Sequence, residues 1–264
     1  MIPLKFGLFW SGAPLSYLRY LTFKTLRYWH PESEIELYVS KTFKKDGFKW
    51  RDEKQDFEHP EQIDKDYLGE LKSLNVKIIE GNFFSQYPSN YQSDLFRWHW
   101  LLNNSGFYLD TDQIILKSFE TLPLDNNLIY SAYSAQSCGF YSPVGVIGAD
   151  NSEMVNWIHE LLPQFYVKDN YNSMGPFMFR AILGSRPWKD KMFNAPSNYF
   201  YPIPESQYVG AVYSGDFKIP EESFAIHEFM GHPLSQEFNR KYTEGFARTG
   251  KDTVSKYLRE KGLI

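Results

Sequence analysis

The chain has 264 residues, of which 42% are hydrophobic and 18% aromatic, and its formal net charge is −4. This composition supports a well-buried core, argues against disorder and disfavours a nucleic-acid partner. Its one cysteine, Cys138, excludes an intramolecular disulfide or a thiolate metal cluster and suits a reducing compartment. The sequence shows no leader-like N-terminus and no apolar run of the roughly 18 to 20 residues that span a bilayer. We therefore expect a cytoplasmic protein.

The first 81 residues predict a β-α-β opening followed by a third strand. The predicted elements are a strand at 5–10, a helix at 15–29 and strands at 34–40 and 76–81. His30-Pro31 provides the stop for the helix. Such an opening favours a mostly parallel sheet covered by helices. The charged stretch at 41–74 is predicted as a solvated helical elaboration, with a surface that contacts the acceptor as the alternative.

The remaining sequence continues the alternation of strands and helices. We predict a helix at 91–106 that Gly106 ends, a strand at 106–116, strands at 127–134 and 144–149, a helix at 151–165, a Gly-Pro turn opening a helix at 172–183, an aromatic, proline-broken loop at 194–206, a short strand with a His-rich turn at 223–234, and a helical tail at 235–264. The tail carries seven basic and three acidic residues over 240–264, so peripheral contact with an anionic membrane remains an alternative to a solvated helix. One domain over 1–264 is expected.

The stretch Gly106 to Leu116, with the sequence GFYLDTDQIIL, reads as a strand with two aspartates of the same parity. Alternation along a strand places Tyr108, Asp110 and Asp112 on one face. The two aspartate Cα atoms would lie about 6.6 Å apart, which makes chelation by both carboxylates awkward unless the strand ends or bends there. One carboxylate would then bind Mg²⁺ or Mn²⁺, and its neighbour would reach the metal through water or bind sugar hydroxyls. Open metal positions suit the diphosphate of a nucleotide-sugar.

The preceding helix adds Asp94 and Arg97, three residues apart and hence on one helical face. An exposed ion pair of little energetic weight is the alternative interpretation of these two residues. Together the stretch SDLFRWHWLLNNSGFYLDTDQIIL, from 93 to 116, resembles the DXD-containing glycosyltransferases. This family includes bacterial capsular-sugar transferases, fungal initiating mannosyltransferases and the glucosylating domains of clostridial toxins. The shared pattern is a Ser-Asp-x-x-Arg helix, a glycine and an aromatic-x-Asp-x-Asp strand.

The resemblance implies an α/β protein of GT-A fold, with a mostly parallel central sheet flanked by helices. It also implies a hexosyltransferase that moves a sugar from a UDP- or GDP-sugar donor to a glycan or other hydroxyl acceptor, with Mn²⁺ or Mg²⁺ as cofactor. Retention of anomeric configuration is expected from the same resemblance. A polysaccharide-synthesis role, in the cytoplasm or at the membrane periphery, fits these relatives.

The resemblance also assigns site residues. Asp112 is the expected direct metal ligand, Asp110 its water-mediated or ribose-side partner, and His227 a third metal or diphosphate contact. The expected donor contacts are Trp10 at the nucleotide base, and Asp94, Arg97 and Tyr108 at the sugar and diphosphate. Asp94, Arg97, Asp110 and Asp112 form the expected catalytic set.

One position departs from the family pattern. Relatives often carry Ser-Trp shortly after the histidine, where this chain has His232-Pro233. The lid contacts of the family are therefore in question, and His232 could replace the serine at phosphate or metal. An inverting reaction would instead need a carboxylate base such as Glu228.

Two other functions compete with this interpretation. A nucleotidyltransferase or nuclease would also use metal-binding carboxylates, although no other close carboxylate pair stands out on a predicted strand. A carbohydrate-binding protein without activity would fit the 19 Tyr, 22 Phe and 7 Trp residues. Turnover of a nucleotide-sugar donor in the presence of Mn²⁺, with release of a nucleoside diphosphate, distinguishes a glycosyltransferase from both alternatives.

Overall fold

The computed structural model describes residues 1–11, 14–41, 65–135, 139–168, 170, 172–185, 188–203 and 209–264. Its strands are β1 (Phe6–Trp10), β2 (Ile35–Ser40), β3 (Lys77–Gly81), β4 (Gly106–Leu109), β5 (Gln113–Ile115), β6 (Leu128–Ser131), β7 (Tyr133–Ala135), β8 (Gly139–Tyr141), β9 (Val146–Ala149), β10 (Met192–Ala195) and β11 (Ala225–His227). Seven of these strands form the central sheet, in the order β10-β6-β9-β4-β1-β2-β3. Cys138 and most of the charged stretch at 41–74 lie outside the described residues.

The central sheet is mostly parallel, as predicted. Strand β1 pairs in parallel with β2 and β4, and β2 with β3. Strand β9 is antiparallel to both β4 and β6, and β10 is parallel to β6. The carboxyl ends of β1 and β4 therefore lie side by side, which is the edge at which open α/β sheets bind ligands. The predicted α/β class with flanking helices is confirmed.

The described helices are α1 (Tyr17–Trp29), α2 (Ser89–Asn104), α3 (Glu153–Leu161), α4 (Met178–Ser185), α5 (Ser197–Phe200), α6 (Gly210–Ser214), α7 (Pro233–Lys241), α8 (Glu244–Thr249) and α9 (Thr253–Glu260). One loop prediction was wrong. Within the segment predicted as an aromatic loop, β10 ends at Ala195 and α5 follows at once. Pairing with β6 supplies the backbone hydrogen bonds of β10, and this partner is not visible in the local sequence.

Two hydrophobic clusters surround the sheet. The first includes Leu18 and Leu21 of α1 with Val254 and Leu258 of α9. The second gathers apolar side chains of α2, α3 and α4, including Trp98. The apolar face of the tail is thus buried in the core. Among the described residues, no helix has both the length and the apolar character that crossing a bilayer would require.

The connection between α2 and β4 requires a glycine. Gly106 has φ of +127°, and a Cβ atom there would lie 2.4 Å from the carbonyl oxygen of Lys5. Only glycine adopts this conformation without strain or a clash. The helix itself ends at Asn104, two residues earlier than predicted, with Ser105 as its C-cap. Gly106 begins β4 and lets it enter the sheet directly beside β1.

A buried histidine makes stability pH-dependent away from the candidate site. His30 follows α1, and its Nε2 accepts a hydrogen bond from the Phe119 amide at 3.3 Å. Burial, with a smaller effect of Arg27, lowers the His30 pKa to about 4. The unfolded chain takes up this proton near pH 6.5, whereas the folded chain does not, so protonation opposes folding as the pH falls.

We predict that this histidine costs the protein about 2 kcal/mol of unfolding free energy between pH 7 and pH 4.5. His30→Gln keeps an acceptor for the Phe119 amide and removes the titration. Urea unfolding of both proteins at the two pH values measures the effect. An identical loss of stability in both proteins would contradict the assignment.

Candidate active site

The Asp-Thr-Asp segment lies in a bend between two strands. Strand β4 ends at Leu109 and β5 begins at Gln113, so the prediction of one continuous strand was wrong. The Asp110 amide still donates to the Gly145 carbonyl at 2.8 Å, and the chain then leaves the central sheet. Strand β5 pairs instead with β11 in a separate two-stranded sheet. The bend removes the alternation that would have kept the two carboxylates on an extended strand.

This bend brings three candidate metal ligands together. One ligand atom each from Asp110, Asp112 and His227 lies within 4.8 Å of the others. His227 reaches this position because β11 is antiparallel to β5 and places it opposite Gln113. The sequence predicted all three residues for one site, and the structure groups them.

Asp112 is held from several sides. Its backbone carbonyl accepts the Glu228 amide at 2.9 Å, and its Oδ2 accepts the Met230 amide at 3.0 Å. Its Oδ1 lies 3.2 Å from His227 Nε2. Asp112 is 8% exposed, so most of its side chain is buried. Asp112 is thus fixed in place by the segment that follows β11.

The negative charge of Asp112 and the positive charge of protonated His227 stabilise each other. Burial is the largest single effect and disfavours both charged forms. It is outweighed by the attraction between the two side chains together with the other charges and hydrogen-bond donors around them. Beside His227, the pKa of Asp112 therefore falls below its ordinary value, whereas the pKa of His227 rises above its own. Asp112 is consequently ionised at neutral pH, the form that a cation requires.

The residues fit a divalent cation. Asp112 Oδ1 is buried, and no described residue gives it a hydrogen bond of good geometry. His227 Nδ1 is also buried without a hydrogen-bond partner among the described residues. Carboxylate oxygens are ligands for Mg²⁺ and Mn²⁺, while imidazole suits transition metals better.

Asp94 and Arg97 extend from α2 to the same bend. Arg97 Nη1 donates to Asp94 Oδ1 at 2.9 Å, and its Nη2 donates to Asp110 Oδ1 at 3.0 Å. Arg97 is 2% exposed, so the alternative of an exposed pair confined to one helix was wrong. Burial raises the pKa of Asp94 to about 6, because it outweighs the opposite effect of Arg97. Arg97 thus joins α2 to the Asp-Thr-Asp bend.

Tyr108 lies behind this arginine. Its side chain is fully buried, its hydroxyl lies 3.0 Å from Ser93 Oγ, and the Arg97 guanidinium lies 4.8 Å from its ring centroid. This position supports Arg97 from the interior. A direct contact of Tyr108 with a donor stays a prediction.

Trp10 ends β1 close to the bend but has little exposed surface. It is 7% exposed, and the Arg19 guanidinium lies 4.4 Å from its ring centroid. Arg19 also donates from Nη1 to Thr111 Oγ1 at 3.0 Å. Sequence reasoning missed Arg19, because its proximity to the bend follows from the packing of α1 against β5. Stacking of a nucleotide base on Trp10 stays a prediction.

Glu228 and His232, the two remaining candidates from the sequence, lie in the buried interior and at the start of α7, respectively. Glu228 is 0% exposed, and both its carboxylate oxygens are buried without a hydrogen bond from described residues. This burial argues against Glu228 as the exposed base that an inverting reaction would need. His232 caps α7, where its Nδ1 accepts the Leu234 amide at 3.3 Å. Its replacement of the family serine at phosphate or metal stays a prediction.

Two glycines leave room for the carboxylates, and sequence reasoning did not select either of them for the site. A Cβ atom at Gly145 would lie 2.8 Å from Asp110 Oδ2. A Cβ atom at Gly175 would lie 3.0 Å from Asp94 Oδ2. Gly175 belongs to the predicted Gly-Pro turn, whereas Gly145 gave no local signal because its neighbour Asp110 is distant in sequence.

Gly145→Ala is therefore expected to displace the Asp110 carboxylate and to weaken Mn²⁺ affinity by about tenfold. Unfolding free energy should change by less than about 1 kcal/mol, since the contacted atom is the end of a movable side chain. Isothermal titration with Mn²⁺ and urea unfolding measure the two effects. Gly184→Ala, at a position with open space, is the matched control. Equal Mn²⁺ affinity in both variants would contradict this role.

Comparisons with known proteins agree with this geometry. Residues 20–133 match the family model described as the glycosyltransferase sugar-binding region containing DXD motif. No curated protein matches the chain in sequence.

Two solved structures are similar in fold. The glycosyltransferase GlyE of Streptococcus pneumoniae TIGR4 aligns with a TM-score of 0.54 and 15% identity over 99% of this chain and 61% of its own. The galactosyltransferase LgtC, solved with donor and acceptor sugar analogs, aligns with a TM-score of 0.50 and 15% identity over 97% of this chain and 95% of its own. At 15% identity, each of these two structures shows similarity in fold only. Residues 20–133 are thus similar to the DXD-containing sugar-binding region of glycosyltransferases, and they lie in a fold shared with GlyE and LgtC.

Proposed function

We propose that the protein is a metal-dependent glycosyltransferase that moves a sugar from a nucleotide-diphosphate-sugar to a hydroxyl group of a glycan or glycoconjugate. The proposal rests mainly on one observation. Ligand atoms of Asp110, Asp112 and His227 lie within 4.8 Å of one another, at the carboxyl end of β4. A cation held by these side chains keeps open positions that a diphosphate can fill.

The donor set favours Mn²⁺ over Mg²⁺, because an imidazole accompanies the two carboxylates. When bound, the cation would supply positive charge against the charge that develops on the leaving nucleoside diphosphate. Asp112 is proposed as the direct ligand, since Met230 fixes its Oδ2 and leaves Oδ1 directed toward His227. Asp110 is proposed as the partner that contacts metal-bound water or the ribose.

The α2 residues are proposed to position the donor sugar. Both Nη atoms of Arg97 already hold carboxylates, so Arg97 would orient Asp94 and Asp110 and place positive charge near the diphosphate. Asp94 would accept hydrogen bonds from sugar hydroxyls. Its Oδ2 lies beside Gly175, where the absence of a side chain leaves space next to the carboxylate. Trp10 is proposed to lie against the nucleotide base, and Tyr108 to support Arg97 within the donor site.

Several finer points complete the proposal. Retention of anomeric configuration is part of the proposal, and it needs no dedicated base. UDP- and GDP-sugars are both candidate donors. We propose one catalytic domain over residues 1–264, a cytoplasmic location with peripheral membrane contact, and a role in polysaccharide biosynthesis.

Product analysis tests the proposed reaction. The protein is incubated with UDP- and GDP-sugars and Mn²⁺, and nucleotides are separated by chromatography. We expect a nucleoside diphosphate, with loss of the product in EDTA and its return on addition of Mn²⁺. Nucleoside monophosphate with pyrophosphate would instead indicate a nucleotidyltransferase. Glycan binding that survives Asp112→Ala, with no donor turnover in wild type, would indicate a binding protein.

A further inference from the structure

A cavity of about 400 Å³ lies on the opposite side of α1 from the Asp-Thr-Asp bend. The side chains of Arg19 and Thr22 contact Thr111 within the bend. Tyr17, Tyr20 and Lys24 line the cavity. These positions recur at i, i+3 and i+7, so they share one helical face, roughly opposite Arg19 and Thr22. A helix about 10 Å wide therefore separates the cavity from the candidate active site.

Tyrosines and a carboxylate form a polar wall of the cavity. The ring centroid of Tyr67 lies 5.1 Å from that of Tyr17 and 5.5 Å from that of Tyr20. The Tyr67 hydroxyl donates to Glu244 Oε1 at 3.2 Å. The hydroxyls of Tyr17 and Tyr20 have no hydrogen bond to any described residue. Phenol and carboxylate groups of this kind bind hydroxyl groups of a ligand.

Two cations at the cavity form no close ion pair with a described residue, and Glu244 attracts Lys24 only from a longer distance. Lys24 is half-buried and Arg248 is exposed, and neither makes a hydrogen bond or ion pair within the described part of the chain. Lys65, also in the lining, instead pairs with Glu70 at 2.9 Å. Burial lowers the pKa of Lys24, so the folded protein keeps this charge at a cost in stability. The charged side chains of the lining are three cations and two carboxylates.

We propose that this cavity binds a saccharide that carries a phosphate or carboxylate group. The anionic group contacts Lys24 and Arg248, and the sugar hydroxyls contact Tyr17, Tyr20 and Glu244. The volume lies within the range of small-molecule sites and exceeds the space that an inorganic anion fills. Binding there needs neither metal nor donor, so the inference stands apart from the proposed function.

Isothermal titration of the full chain tests this site with glucose 6-phosphate and glucuronate as probes. We expect saturable binding of at least one of them, about tenfold tighter than binding of glucose or inorganic phosphate. Lys24→Met and Arg248→Met should each raise its Kd about tenfold, because each removes a charge-assisted hydrogen bond. Tyr20→Phe should weaken sugar binding and leave phosphate binding unchanged.

Two controls separate this cavity from other sites. Arg240→Met removes an exposed arginine of α7 outside the cavity and should leave the Kd unchanged. Asp112→Asn, in the candidate active site, should also leave it unchanged. Circular dichroism checks that each variant is folded. Failure of both probes to bind at millimolar concentration, equal affinity for inorganic phosphate, or an unchanged Kd in folded Lys24→Met and Arg248→Met would overturn the proposal.

Discussion

Asp112→Asn is expected to lower metal-dependent turnover by about 10³-fold, because bound metal supplies several kcal/mol of transition-state stabilisation. The substitution removes the charge of the residue whose Oδ1 lies 3.2 Å from His227 Nε2. The protein should still fold, since the side-chain oxygen of asparagine can accept the Met230 amide. Its unfolding free energy without metal should fall by about 1 to 3 kcal/mol, because a buried charge-assisted contact is lost.

Steady-state kinetics with Mn²⁺ and urea unfolding in EDTA measure the two effects of Asp112→Asn. Asp125→Asn makes the same chemical change at an exposed turn and should alter neither quantity. Retention of wild-type turnover in Asp112→Asn would remove this residue from the metal site.

Arg97→Met is expected to cost about 3 to 5 kcal/mol of unfolding free energy, because it leaves a buried carboxylate without its cation. Arg97 contacts both Asp94 and Asp110, of which Asp94 is the more deeply buried. Adding Asp94→Asn removes the uncompensated charge, so the double variant should recover part of the lost stability. Turnover should remain low in both variants, because the Asp110 carboxylate is no longer held.

Urea unfolding of the single and double variants at pH 7 gives the coupling between Arg97 and Asp94. Arg240→Met is the matched control at an exposed position, with an expected change of less than about 0.5 kcal/mol. Additive effects of Arg97→Met and Asp94→Asn would show that the buried contact has no energetic weight.

Local patterns predicted most of the fold. The strand and helix periodicities over 5–81 correspond to β1, α1, β2 and β3, and α2 ends two residues before the predicted stop at Gly106. These elements carry their own signals, because alternating or helical apolar spacing and stop residues are read within a few residues. Strand β10 was missed, since its stability comes from pairing with β6 about 60 residues earlier in the chain.

The site was predictable in its residues but not in its shape. The motif indicated Asp110, Asp112 and His227, and the structure groups them. The bend and the burial of Asp112 were not visible, because they depend on the pairing of β5 with a strand about 110 residues later. Arg19 and Gly145 were missed for the same reason, since each meets the bend through tertiary packing.

Anomalous X-ray scattering from crystals grown with Mn²⁺ and a nucleoside diphosphate tests the metal assignment most directly. We expect one strong manganese peak within coordination distance of Asp112 and His227, with Asp110 next to it. The same crystals of Asp112→Asn should lose this peak. A manganese peak elsewhere, with none beside Asp112 in the wild-type protein, would contradict the proposed metal site and the function that depends on it.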